Sequence, residues 1–449
     1  MMRNLIIPFF FFILFGSGQT QGLFESAGKL DTPTTRPLEW SGYVRGSAYG
    51  GTEQYPYSSV FGEVGLQGKY ALNKAFLFAD MRFREGLQFD EVRPVLQLKE
   101  AYVGYQSKKL DLYLGNQIVT WGRTDGFNPT NCITPVDYFF LTSNSDDQTL
   151  PNFLLRAKYH INEKIYLEGI AIPFFRPSIY RYELFELEGN THFEKMERPA
   201  RNFKNGSIAA RMNADLPGIG FSLSYFNGYD PFYGFGLKDV DLSNFMDPAI
   251  TYMPAFYRKQ ALGADFAIPL GSWIARGEAA WKWTQHYDSL MYIPNPGLSY
   301  VVGIERNIWD ITILAQYIGQ YIHRFKEIEE PLLENPLDPV LLFAYIRDRI
   351  DYESTLFNRK VFQQQKSSNH ALFLSLSRAF AHDDLRAELS GYYNITSEEY
   401  LVRPKLSWKI SDALSAAAGA HIMGGPEQSI FELSQGVLNG AFVELKVNF

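Results

Sequence analysis

The chain has one cysteine among its 449 residues, Cys132, so no internal disulfide framework holds it together. Long apolar runs are equally scarce. Beyond the first residues no stretch of eighteen apolar residues occurs, the longest run being Val340–Ile346, and mean hydropathy is −0.18. Helical membrane spans are thereby excluded. Catalytic groupings are missing as well. The seven histidines, His160, His192, His286, His323, His370, His382 and His421, form no Ser-His-Asp or metal-ligand cluster. His382-Asp383-Asp384 reads as a solvated turn, and Ser415 and His421 stand too far apart on one strand for a direct hydrogen bond. The expectation is no enzyme, no metal and no cofactor. A net charge of −7 argues against a nucleic-acid partner.

What is present begins with a leader. Met1–Asn4 carries Arg3, Leu5–Phe15 is unbroken apolar sequence, and Gly16-Ser-Gly18 supplies small residues for cleavage. This predicts a secretory signal peptide over residues 1–18. Residues 19–37, with Pro33 and Pro37, read as a lead-in to the first strand, and 38–449 as one large domain, because one kind of segment recurs throughout. That segment alternates. In Leu110-Asp-Leu-Tyr-Leu-Gly-Asn-Gln117, Leu110, Leu112 and Leu114 face one way and Asp111, Tyr113 and Gly115 the other, the period-2 mark of a strand between two different media. Ala75–Arg84, Leu96–Tyr105, Phe153–Ile161, Ser207–Leu216, Trp273–Gln285 and Tyr400–Ile410 repeat it.

The predicted fold class is all-β, a closed antiparallel transmembrane β-barrel of about 18 strands, with 16 as the alternative. Turns after even-numbered strands are short, while nearly all connections after odd-numbered strands are long. Aromatics at 16% suit interfacial girdles. An open edge in lipid would leave backbone groups unsatisfied, so the sheet must close.

The last strand, Ala441-Phe-Val-Glu-Leu-Lys-Val-Asn-Phe449, resembles the closing strand of Gram-negative outer-membrane β-barrels. That resemblance implies that the barrel-insertion machinery reads Phe449, that the short turns are periplasmic and the long loops extracellular, and that export delivers the chain to the outer membrane. Leu114-Gly-Asn-Gln-Ile-Val-Thr-Trp-Gly122, followed by Asn128-Pro129, is similar to the strand-to-loop signature of porin-like barrels, including a family of unassigned function. Asn116 stands where that signature often has arginine.

Inside an 18-strand barrel the space is too wide for side chains alone to fill, so a charged lining implies water. Arg82 with Arg84, Arg156 with Lys158, and Arg403 with Lys405 and Lys409 form basic ladders at spacing two. Glu100, Asp111, Arg211, Arg276 and Lys282 add to the lining. The third external loop, Trp121–Leu150, carries Arg123, Asp125, Asp137, Asp146 and Asp147, and its acids facing the ladders would set a transverse field. The expected function is passive diffusion of small polar or charged solutes through an outer-membrane porin constricted by this loop. Two alternatives stand beside it: a plugged docking or adhesion barrel using the loops at 176–205 and 323–368, in which Val340–Ile346 forms a short capping helix, and, less favoured, an outer-membrane hydrolase. Expected partners are membrane lipid, a small-molecule solute and the insertion machinery, with assembly into a homo-oligomer left open. Phe127, Tyr138, Phe139 and Phe140 read either as a solute track or as loop packing, and Cys132 as a semi-buried loop residue.

Overall fold

A computed structural model of the chain describes residues 37–184, 190–244, 248–333, 335–427 and 429–449. The expected signal peptide and all but the last residue of the lead-in lie outside the described residues. Alternating apolar and polar residues form β1 (Leu38–Gly50), β2 (Ser59–Leu72), β3 (Ala75–Gln88), β4 (Glu91–Gln106), β5 (Leu110–Gln117), β6 (Asn152–His160) and β7 (Ile165–Ile172). There follow β8 (Thr191–Phe193), β9 (Ser207–Leu216), β10 (Ile219–Tyr229), β11 (Gly234–Asp241), β12 (Ala249–Ala255), β13 (Arg258–Leu270) and β14 (Trp273–Thr284). The last are β15 (Gly297–Ile308), β16 (Ile311–Ile322), β17 (Ser368–Phe380), β18 (Leu385–Asn394), β19 (Tyr400–Lys409), β20 (Leu414–Gly424) and β21 (Gly440–Asn448).

All except β8, β11 and β12 join one 18-stranded sheet. Each barrel strand pairs antiparallel with the next barrel strand, and β21 returns to β1 with Tyr43 opposite Asn448 and Gly50 opposite Ala441. Reciprocal backbone bonds between Gly42 and Phe449, at 2.8 and 2.9 Å, finish the seam. The barrel is closed. Its outward side chains, among them Leu66, Leu77, Leu112, Leu155, Val302, Leu374 and Leu445, are apolar and exposed, a belt suited to hydrocarbon rather than water. No helix among the described residues is long and apolar enough to cross a membrane.

The count of eighteen excludes the sixteen-strand alternative, and several boundaries move. Residues 85–95, expected as a loop, continue β3 and β4 into a hairpin that projects from the rim. It turns on Phe89 and Asp90, both at positive φ (48° and 63°), the type I′ pattern whose twist matches paired strands. Alternation along Trp309–Ile322 predicts a strand beginning at Trp309, but Trp309 takes the same kind of turn with Asp310 and the strand begins at Ile311. The loop between β10 and β13 contains β11 and β12, which with β8 make a separate three-stranded sheet. The expected short helix at 340–346 is instead a helix spanning Pro339–Val361, started by Asp338, whose side chain accepts from Val340 N and Leu341 N. A second helix, Ile430–Leu438, lies in the last long loop.

Leu374 sits mid-strand on the lipid face of β17. Leu374→Arg should lower unfolding stability in a bilayer by roughly 2–4 kcal/mol. Ser377→Lys, on the inner face opposite Glu388, should change it by less than about 1 kcal/mol. Equal costs in reversible denaturant unfolding would refute the assignment of faces.

Candidate functional site

The loop from Ile118 to Pro151 leaves β5 and turns into the barrel. Two glycines permit close approaches along this course, Gly115 within β5 and Gly122 in the loop. Gly115 (φ 137°) lies against the backbone of Ala101 and Tyr102, and Gly122 (φ 117°) lies where any Cβ would stand 2.5 Å from the Glu278 carboxylate. At that φ only glycine is unstrained. Glu278, on β14, then gathers the loop: it accepts from Arg123 N, from Thr124 N at 2.6 Å and from the Thr130 hydroxyl at 2.9 Å. Arg123 reaches Asp265 on β13 at 2.8 Å and Asp215 on β9 at 2.7 Å. Trp121 Nε1 donates to Glu168 on β7, and Asp125 pairs with Arg276.

The returning limb is fastened elsewhere. Asp147 pairs with Arg45 on β1 and Arg82 on β3, both at 2.6 Å. Lys99 Nζ donates to the carbonyls of Asp146 and Asp147. Arg403 on β19 donates to the carbonyls of Thr142 and Ser143, and Ser143 donates to Glu444 on β21. In a ring of eighteen strands β1 and β13 stand diametrically opposite. The loop is therefore tied to both sides of the lumen.

Burial would push the Asp147 carboxyl up, but the guanidiniums of Arg45 and Arg82 and the ammonium of Lys99 hold it well below the ordinary carboxylate range. Burial pushes Asp137 up instead, and its carboxylate accepts from Phe139 N and Phe140 N in its own turn.

The other sequence-predicted residues divide between wall and loop. Glu100 accepts from Ile118 N at 2.9 Å, at the loop's root. Asp111 meets His160 at 2.8 Å, Arg156 pairs with Glu168 beside it, and Lys405 reaches Glu388 at 3.3 Å, so these charges are matched by neighbouring strands. Arg211 lies 3.8 Å from Asp265. Lys158 stands over the Tyr166 ring, and Arg84 lies 3.8 Å above the Phe140 ring. Lys282 faces inward from β14 without an ion pair among the described residues. Of the four loop acids expected to oppose the basic ladders, Asp147 does so directly.

Arg45, Lys99 and Glu168 belong to the same network and were not singled out from the sequence. Arg45 shares the inward parity of Tyr43 and Ser47 on β1, a readable signal. Lys99 does not. A bulge in β4, where Asp80 pairs with Glu100 and Met81 with Leu98, turns two successive residues inward, as an extra residue in a ladder must.

Above the strap the mouth is roofed. Phe139 and Leu141 of this loop, Tyr180, Tyr233, Phe235, Ile250 and Tyr252 of the next ones, Ile346, Ile350 and Phe357 of the 339–361 helix, and Phe431 of the last helix form one buried cluster, which also takes in Val301, Ile318 and Phe373 of the wall. Tyr138 stacks on Tyr180 at 4.6 Å. The loop aromatics are packing residues rather than an exposed track. Cys132 is fully buried in a second, smaller cluster with Trp121 and Leu154.

No family model matches the chain, nor does any curated protein. Solved structures do match. OccK5 (OpdH) of Pseudomonas aeruginosa aligns with a TM-score of 0.51 at 10% identity, covering 92% of this chain and 97% of that one. OccAB4 of Acinetobacter baumannii gives 0.50 at 10% identity, covering 92% and 98%. The outer membrane protein OpdK of P. aeruginosa, solved with vanillate, gives 0.51 at 8% identity over the same shares. The fold is that of a porin-like outer-membrane β-barrel.

Replacing Asp147 with Asn leaves Arg45 and Arg82 short of a counter-charge, so docking of the returning limb should weaken by on the order of 3 kcal/mol. Deuterium exchange at 142–149 reads this, with the barrel strands unchanged. Because the folded carboxyl is held below its unfolded value, its contribution is complete above the ordinary carboxylate pKa and is lost as pH falls through the lower folded value. Protection at about pH 5 should therefore match that at about pH 7; earlier loss would contradict the latch.

Proposed function

We propose that this chain is an outer-membrane channel for small charged or polar solutes, not an enzyme, with the Ile118–Pro151 loop as its constriction. One observation carries the reading. The loop is tied by buried charges to β13 and β14 on one side and to β1 and β3 on the other, which confines any solute to what the strap leaves free. The charged lining supports a wet passage, because ions buried without water or partners cost several kcal/mol each. Arg386 and Lys446, on the inward faces of β18 and β21, form no ion pair among the described residues, and with Lys282 they favour anionic solutes. The vanillate held by OpdK is of that charge class.

The buried cluster over the mouth favours a second reading, a plugged barrel whose loops dock a partner. Both share one fold, so conduction separates them.

Single-channel recording in a planar bilayer tests this. The intact chain should give small, stable, anion-preferring openings, and removal of Thr124–Thr149 should raise conductance several-fold. Silence of the intact chain with conduction after deletion would favour the plugged barrel. Silence of both, with the barrel folded, would remove the channel reading.

A further inference from the structure

The segment that joins β8 to β9 carries a basic residue at every third position, Lys195, Arg198, Arg201 and Lys204, with Glu197 the one acid among them. All four are exposed, and among the described residues none forms an ion pair. The nearby acids are engaged elsewhere. Glu194 pairs with Lys238, and Glu197 lies within electrostatic reach of the same ammonium. In a chain with a net charge of −7 this row is a local concentration of positive charge.

It is also continuous with the lipid-facing belt. Phe203, within the row, is 84% exposed. Its ring lies 6.2 Å from Phe174, and Phe174 lies 6.2 Å from Phe153, which points outward from the top of β6. Three aromatic rings thus climb from the hydrocarbon face over the rim to the basic segment. Arg258, the first residue of β13, joins the group from the wall, its guanidinium 5.1 Å from the Tyr229 ring and 3.3 Å from the Gly206 carbonyl. An exposed phenylalanine among cations is poorly placed in water but well placed at headgroup depth, where aromatic rings anchor and basic clusters attract anionic lipid.

We propose that residues 195–204 form a membrane-surface anchor that binds phosphate-bearing headgroups of the surrounding leaflet, with Phe203 inserted at the interface and the four cations, aided by Arg258, on the phosphates. This anchor does not require the channel to conduct. It fixes the β7–β9 loop to the bilayer on the lipid side while the same loop contributes Tyr180 to the roof.

Native mass spectrometry of the full barrel from neutral-detergent micelles tests it, with short-chain phosphatidic acid and phosphatidylcholine as probes. The intact chain should retain phosphatidic acid about tenfold more tightly than phosphatidylcholine, with the preference shrinking steeply at high salt. The combined variant K195Q, R198Q, R201Q and K204Q should lose it. A control variant, R93Q with R347Q, should keep it. Folding of each variant is followed by its mobility on unboiled gels. Should the combined variant fail to fold, the single change Phe203→Ser carries the test and should weaken binding several-fold. Equal retention of both lipids, or undiminished preference in the combined or Phe203 variant, overturns the anchor. Complete displacement of phosphatidic acid by equimolar inorganic phosphate overturns it too, because the row would then be a soluble-anion site.

Discussion

Hydrocarbon offers a peptide group nothing to bond to, and each unsatisfied N–H or C=O there costs several kcal/mol. Closure of β21 onto β1 is therefore the condition on which the rest depends. The pairing of Val44 with Val447 and of Ala48 with Val443 leaves no edge strand among the eighteen. Once the sheet closes, every strand separates two media, and the period of two follows from that alone. Val443, Leu445 and Val447 take the outside, Glu444 and Lys446 the inside, because the reverse would put a lysine into lipid.

A closed ring of this size creates the next problem, a lumen wider than its own side chains. The Ile118–Pro151 loop enters that space at a cost, since fixing backbone at about 1–2 kcal/mol per residue far exceeds what exposed ion pairs return. Most of its anchors are accordingly not exposed pairs, Arg123 with Asp215 being the exception. Arg45 and Glu63 have side chains 3% and 1% accessible, and Asp147 joins them under Arg82. Glu278 takes four donors from the loop on the far side, from Arg123 N, Thr124 N and the Thr124 and Thr130 hydroxyls. Apolar burial completes the balance, with Phe139, Phe140, Leu141, Ile133 and Trp121 all nearly inaccessible.

The strands were readable because their cause is local. Lipid on one side and water on the other imprint alternation on each short stretch, so all eighteen barrel strands stand close to where the sequence places them. The failures have non-local causes. Residues 85–95 look like a loop because Pro94 and the polar Glu91 and Arg93 weaken the pattern, yet β3 holds β4 in register through them. The inward-facing Lys99 is hidden by a bulge that shifts parity by one. The partners of the strap lie far away in sequence: Arg45 is 102 residues from Asp147, and Glu278 is 154 from Thr124. Composition predicted acids facing basic ladders, but which acid meets which arginine is a property of closure, and Asp125 and Asp137 went to Arg276 and to a local turn instead.

Strap and roof are held by different physics, and this sets what displacing either would cost. The strap is held largely by directional charge contacts, and shifting it would take Asp147 from the guanidiniums of Arg45 and Arg82, leaving them only their wall carboxylates, Glu63 and Asp80. That cost is large and abrupt. The roof is held by apolar contact, which is non-directional and re-forms after a slide. Its pieces, the 339–361 helix and the sheet of β8, β11 and β12, are bound to one another by Asn358, which both accepts from Phe235 N and donates to Phe235 O at 2.8 Å, and by Tyr252 with Ser354. Displacing them from the wall residues Val301, Ile318 and Phe373 would break mainly apolar contacts, with Lys360, within electrostatic reach of Glu399, the charge at stake. If the barrel conducts as proposed, selection by charge falls to the strap and access from the long-loop side to the roof.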